Sequence, residues 1–224
     1  KEMGIDYSNM HVWLRKLNIN LLNYHNELKF DNTVFDKIDS EEKAYWLGFL
    51  YADGYVSSYN NTVALDLMGD DILHLNKFKE FLNLKREVKI SNSTCNGKIF
   101  PRCRLAVTNK HFHDTLISKG CIPNKSLVLQ FPDKSIFSSS DLIIHFIRGY
   151  IDGDGSVTLG YTKYSMFSII GTKEFLSGII DSFPTLFTLS SYHKDKRHPD
   201  SNTYFISIGG KKSAKLGDIL YKNA

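Results

Sequence analysis

Two stretches decide how this chain is read, Glu42–Tyr55 (EKAYWLGFLYADGY) and His145–Val157 (HFIRGYIDGDGSV), because Trp46–Gly54 of the first returns 101 positions later as Ile147–Gly155 of the second. Each runs apolar and stops at Asp-Gly. Gly48 and Ala52 lie four residues apart, as do Gly149 and Gly153. A helix through either stretch therefore carries small side chains along one face, and two such faces can meet at short range. Asp53-Gly54 and Asp154-Gly155 fall where the helices end, and a left-handed glycine is expected to terminate each one. If the helices pack side by side in the same direction, their ends bring two carboxylates together, which is costly unless a cation binds there.

At these residues the chain resembles the LAGLIDADG homing endonucleases, in the pattern of the single-chain members that carry two motifs. Two copies about one hundred residues apart, each opening a similar run of strands and helices, make the resemblance specific. Tyr51 stands where the first Asp of the motif belongs in copy one, and Arg148 replaces the small second residue in copy two. The eighth-position Asp is present both times. The resemblance implies an α+β fold of two pseudo-symmetric αββαββ(α) repeats forming a saddle over DNA, with the motif helices packed at the repeat interface. It implies metal binding by Asp53 and Asp154, with the backbone carbonyls of Ala52 and Gly153 as further ligands. It also implies Mg²⁺-dependent cutting of double-stranded DNA across the minor groove with short 3′ overhangs, Mn²⁺ substituting, by a monomer encoded within an intron, an intein or alone. Basic residues near the metals assist in this family, and Lys125 and Lys173 are the catalytic candidates here.

Composition agrees without deciding. The 224 residues are 42% apolar, enough for a core, and carry a formal charge of +4. The charge excess is −1 over residues 1–39, +2 over 40–124 and +3 over 125–224, too mild to establish nucleic-acid binding alone. Cys95, Cys103 and Cys121 form no C-x-x-C pair and read as small buried residues of a chain in a reducing cytosol. The longest apolar run, Ala44–Ala52, is far too short for a bilayer, so no membrane partner is expected. His111-x-His113 lacks third and fourth ligands at metal spacing. A self-splicing element is not supported, since the chain neither opens on Cys or Ser nor closes on His-Asn.

The chain divides into an N-terminal segment (1–39), a first repeat (40–124) and a second (125–224). Around Ser8–Leu17 a short helix resembles part of a helix-turn-helix and offers Arg15 and Lys16 to DNA. Residues 21–39 read as a linker. Ser40 caps the first motif helix, and the periods that follow predict αββαββα, then the same order again. In the hairpins, alternation places Arg102 and Arg104 on one face and Cys103, Leu105 and Val107 on the other. Arg102 and Arg104 are the candidates for reading bases and Lys89 and Lys98 for phosphates, with Thr158, Lys163, Tyr192, Lys194 and Arg197 in the second repeat. Asp152 reads as structural, paired with Arg148 at i, i+4 spacing. Tyr51→Phe is expected to matter little for cutting. The alternative function is a LAGLIDADG-fold DNA-binding regulator or RNA maturase that does not cut.

Overall fold

The computed structural model describes residues 29–95, 97–159, 165–187, 192–194, 199 and 201–222. Arg15, Lys16, Lys163 and Arg197 lie outside the described residues. The first half runs α1 (Glu41–Asp53), β1 (Gly54–Val56), β2 (Thr62–Met68), α2 (Ile72–Phe81), β3 (Lys89–Cys95), β4 (Lys98–Thr108) and α3 (Lys110–Ser118). The second runs α4 (Leu142–Asp154), β5 (Gly155–Leu159), β6 (Ser165–Gly171), α5 (Lys173–Ser182), β7 (Tyr192–Lys194), β8 (Tyr204–Gly209) and α6 (Lys211–Tyr221). Each half holds an antiparallel four-stranded sheet, ordered β1-β2-β4-β3 and β5-β6-β8-β7. The fold is thus the α+β architecture expected from the periods, with the same topology twice.

Local chemistry explains most boundaries. Ser40 accepts a hydrogen bond from the amide of Lys43 at 3.3 Å and starts α1, with Glu41 and Glu42 in the first turn. Asn109 caps α3 through the amide of Phe112 at 3.0 Å, and Thr172 caps α5 through that of Phe175 at 3.1 Å. Gly97, just before β4, takes φ 73, a conformation that glycine adopts without strain. Each sheet is apolar on its helix side. Val63, Leu65, Leu67, Cys103, Leu105 and Val107 are buried in the first, and Phe167, Ile169, Ile206 and Ile208 in the second.

Of the expected linker 21–39, the described part, residues 29–39, is packed rather than extended between units. Phe35 and Ile38 are fully buried, Phe35 packing against the rings of Phe81 and Phe112. Ile38 pairs in parallel with Phe137, the residue that leads into α4, and its carbonyl accepts from Ser138 at 2.9 Å. Apolar spacing too short to show a period hid this plug, which pins the entry of both motif helices.

The two motif helices form the centre. A Cβ on Gly48 would collide with the carbonyl oxygen of Phe146, and one on Gly149 with that of Tyr45. Because 48 and 149, and 45 and 146, are equivalent positions of the two copies, the contact is reciprocal, as a twofold interface requires. Both helices end in extended backbone, Gly54 at φ −68 and Gly155 at φ −102, so neither is the left-handed stop expected from Asp-Gly. The helices pass directly into β1 and β5. Glycine is needed for room instead, since a Cβ would strike the carbonyl of Leu50 or of Ile151. Tyr51, beside this seam, is 1% exposed and donates its hydroxyl to the carbonyl of Lys119.

Candidate active site and nucleic-acid interface

With α1 and α4 parallel and touching, Asp53 and Asp154 stand side by side at their last turns. Gly153 backs onto the first: a Cβ there would lie 3.0 Å from a carboxylate oxygen of Asp53 and 2.5 Å from the Ala52 methyl. Burial and then the charge of Asp53 push the Asp154 carboxyl up to about 6. Burial also raises Asp53, with Asp71 adding to the rise. Two carboxylates held against their preference for charge make the approach of a cation favourable.

Among the described residues, the charge of Lys125 bears on both carboxyls. Asn124 adopts φ 53, a left-handed turn that asparagine tolerates, and starts the short 3₁₀ turn Lys125–Leu127. The Lys125 ammonium donates to the carbonyl of Gly54 and lowers both carboxyls, partly offsetting their burial. Arg102 acts on Asp53 in the same sense from the sheet. Tyr150, whose hydroxyl donates to the carbonyl of Ile170 at 2.9 Å, lies close enough to Asp154 to lower its carboxyl as well. Lys173 is elsewhere: it is exposed at the start of α5, and its charge bears on Glu174.

The donor set fits a hard divalent ion. Among the described residues no group of three or more His, Cys, Asp and Glu gathers, so an ion at the two carboxylates would need further oxygen ligands, which the resemblance assigns to the carbonyls of Ala52 and Gly153. Asp152 points elsewhere, accepting from Tyr45 at 2.8 Å and Tyr221 at 2.5 Å. Its expected pairing with Arg148 is replaced, since that guanidinium lies 5.1 Å from the Tyr45 ring centre and donates to the Leu220 carbonyl at 3.5 Å. His111 and His113 diverge, to Asp36 and to the carbonyl of Ser57, and form no metal pair. Cys103 and Cys121 are buried and free as expected, and burial pushes the Cys121 thiol up to about 11.

The carboxylates give a testable pH dependence. A folded-state carboxyl raised to about 6 favours protonation, so its contribution to stability is full below the unfolded value near 4 and is lost as pH rises through 6. His74 and His145, both lowered chiefly by burial, run in the opposite sense and cancel when two variants are compared. In EDTA, Asp154→Asn is therefore expected to match the unmodified protein near pH 4 and to exceed it by about 2 kcal/mol at pH 7.5. Urea unfolding at the two pH values measures this, and equal gaps at both would contradict it.

The outward face of the first sheet is basic. Arg102 and Arg104 pair across the strands with Ser91 and Lys89, opposite the buried Cys103 and Leu105, and Lys98 shares their side. Asp66, also on this face, holds both arginines: Arg102 Nε to Oδ1 at 2.9 Å and Arg104 Nη1 to Oδ2 at 3.1 Å. In the second sheet Thr158 faces outward beside Met166. Tyr192 and Lys194 do not. Their partners are Ile206 and Tyr204, on the core side, and Lys194 donates to the Ser201 carbonyl at 2.7 Å over the Tyr204 ring. His193, between them, takes the outward side and stacks on Phe205. Counting from a strand end misplaced by one residue produces such an inversion. Asp66 and His193 were findable by alternation, and Tyr150 by its i, i+4 spacing from Asp154.

Comparison with known proteins agrees with this architecture. Residues 141–216 match the LAGLIDADG-like domain family. The homing endonuclease I-WcaI, solved bound to its DNA recognition sequence, superposes with a TM-score of 0.58 over 98% of this chain and 89% of that one, at 12% identity. The N-terminal LAGLIDADG domain of DUF199/WhiA reaches 0.49 over 85% of this chain and 87% of that one, at 16% identity. A probable translation initiation factor IF-2 of Methanocaldococcus jannaschii is 27% identical over 76% of this chain. The chain spans 14% of that protein's length. Among the described residues no helix is long and apolar enough to cross a membrane.

Proposed function

We propose that this chain, a LAGLIDADG protein by its fold and by the match of its second repeat, is a sequence-specific endonuclease that cuts both strands of DNA. The observation that carries the reading is the meeting of Asp53 and Asp154 across the glycine seam, both raised, with Lys125 shared between them. A protein that only binds DNA has no use for two facing carboxylates held at such cost. Bound Mg²⁺, or Mn²⁺ in its place, would activate water and stabilise the leaving 3′-oxygen. Asp53 and Asp154 would hold it, with the Ala52 and Gly153 carbonyls. The Lys125 ammonium, fixed by its bond to Gly54, offsets negative charge gathering at a phosphate placed against the two helix ends. Arg102 and Arg104, held by Asp66 on the outward face of the first sheet, would read base edges, and Lys89 and Lys98 would contact the backbone. Double-stranded DNA is thus the partner, bound by a monomer whose two repeats take one half-site each.

The test is cutting of plasmids that carry the gene's flanking sequence, joined, with Mg²⁺ and then with excess EDTA. Cutting that stops in EDTA and resumes with Mg²⁺ is expected. Cutting that persists in EDTA would reject the metal assignment. Binding without nicking in either Mg²⁺ or Mn²⁺ would point instead to the regulator or maturase.

A further inference from the structure

The two flanks of the helix pair differ although the motifs repeat. On one flank Leu47 and Tyr51 of α1 are covered, 0% and 1% exposed, where Tyr51 meets the carbonyl of Lys119 and packs edge-on against Phe146. The same motif positions on α4 are Arg148 and Asp152, and these line an open cleft of about 1130 Å³ between α1, α2 and α6. The departures from the motif follow from this: apolar residues where the chain crosses over the seam, charged ones where the flank is open to water. The cleft runs to Asp53 and Gly153 at one end.

In that cleft Asp152 ties three helices together, through Tyr45 of α1 at 2.8 Å and Tyr221 of α6 at 2.5 Å. Burial and the nearby Asp152 charge raise both tyrosine hydroxyls well above their ordinary value, so both stay protonated donors at any working pH. The seam itself is smooth. At Gly48 and Gly149 glycine lies on backbone, so no side chain interdigitates there; Tyr51 of α1 packs on Phe146 of α4 on the covered flank, and any slide of one helix along the other moves Asp154 past Asp53 by the same distance. Asp152 stands two residues before Asp154, with Gly153 between them. The Tyr45 hydroxyl bond joins α1 directly to α4 at this point, with His74 Nε2 of α2 at 3.4 Å from the same oxygen, while the ring packs on Trp46, Phe49 and His74 and lies under the Arg148 guanidinium.

We propose that Asp152 is a positioning residue: by bonding Tyr45 and Tyr221 it locks α4 against α1 in axial register and so holds Asp154 at the separation from Asp53 that a divalent ion requires. The inference rests on the carboxylate pair being a metal site. It concerns residues that contribute no ligand.

Tyr45→Phe is the decisive variant. It removes one hydroxyl and leaves the ring, the Arg148 contact and the Asp152 charge in place, so a loss of metal affinity there is not a charge effect. Mn²⁺ titrated into the intact chain, with free ion followed by electron paramagnetic resonance, reads affinity without cutting. Tyr45→Phe and Asp152→Ala are each expected to weaken Mn²⁺ binding three- to tenfold, and the double variant no further than the stronger single one. Asp152→Asn, which keeps an acceptor oxygen, should recover part of the Asp152→Ala loss. A merely structural role would instead lower the unfolding midpoint and leave Mn²⁺ affinity alone. Unchanged affinity in Tyr45→Phe would overturn the proposal while the metal site stood. No Mn²⁺ uptake by the unmodified chain would sink the carboxylate site, and the positioning claim with it.

Discussion

Asp53→Asn and Asp154→Asn should each lower double-strand cutting by about 10³-fold or more, the scale on which removal of one preorganised charge-stabilising group acts. The reason is that neither carboxylate is a complete site. Asp53 lies against Gly153 of the opposite helix, and its charge is the largest influence on Asp154 after burial. Replacing either by the amide removes half of the charge that makes cation binding favourable, and leaves a single carboxylate that Lys125 alone can neutralise. The double variant should fall little below the single ones, because residues that act as a unit do not add. Neither change is expected to unfold the protein, since Asn is isosteric and relieves repulsion in the metal-free state. Single-turnover cutting of a matched target, with circular dichroism as a check on folding, measures the effect. Cutting at the unmodified rate by Asp53→Asn would end the paired-carboxylate argument.

How far these features were legible in the sequence depends on the physics behind each. The repeated topology was, because amphipathic periods and turn residues are local signals that the two halves state twice. The paired carboxylates were, because small residues at i and i+4 predict a close helix seam and the Asp at its end follows by geometry. Lys125 was found only as a candidate; what brings it to the site is the left-handed turn at Asn124 and the path of the inter-repeat segment, neither visible in spacing. Phe35 and Ile38 were hidden for a related reason: a plug of isolated apolar residues has no period. The side taken by Tyr192 and Lys194 was misread because strand register, with period two, inverts on an error of one residue. Asp152 was read as the partner of Arg148 because i, i+4 logic sees only one helix, and its actual partners lie 107 and 69 residues away on two others.

The seam itself offers the second large effect, on stability. Gly48→Ala and Gly149→Ala each add one methyl group where the nearest atom is a backbone carbonyl oxygen of the opposite helix, of Phe146 or of Tyr45. A flexible side chain would turn away; a helix backbone cannot. The helices must separate along the line on which the whole core is organised, which opens space between buried neighbours as well. Helix propensity pulls the other way, favouring Ala over Gly by about 1 kcal/mol, so the sign is decided by the collision. Overpacking of this kind costs about 1–3 kcal/mol and occasionally more, and the rigid obstacle puts these sites at the upper end. The expected net result is destabilisation of about 2 kcal/mol or more at either glycine, a large share of a total stability of about 5–15 kcal/mol. Gly217, inside α6, supplies the control. A Cβ there meets only the Phe167 ring at 3.7 Å, an ordinary contact, so Gly217→Ala is expected to stabilise by about 0.5–1 kcal/mol. Urea midpoints of the three variants read the opposite signs. If Gly48→Ala shifted the midpoint upward as Gly217→Ala does, the close helix approach that places Asp53 beside Asp154 would be wrong.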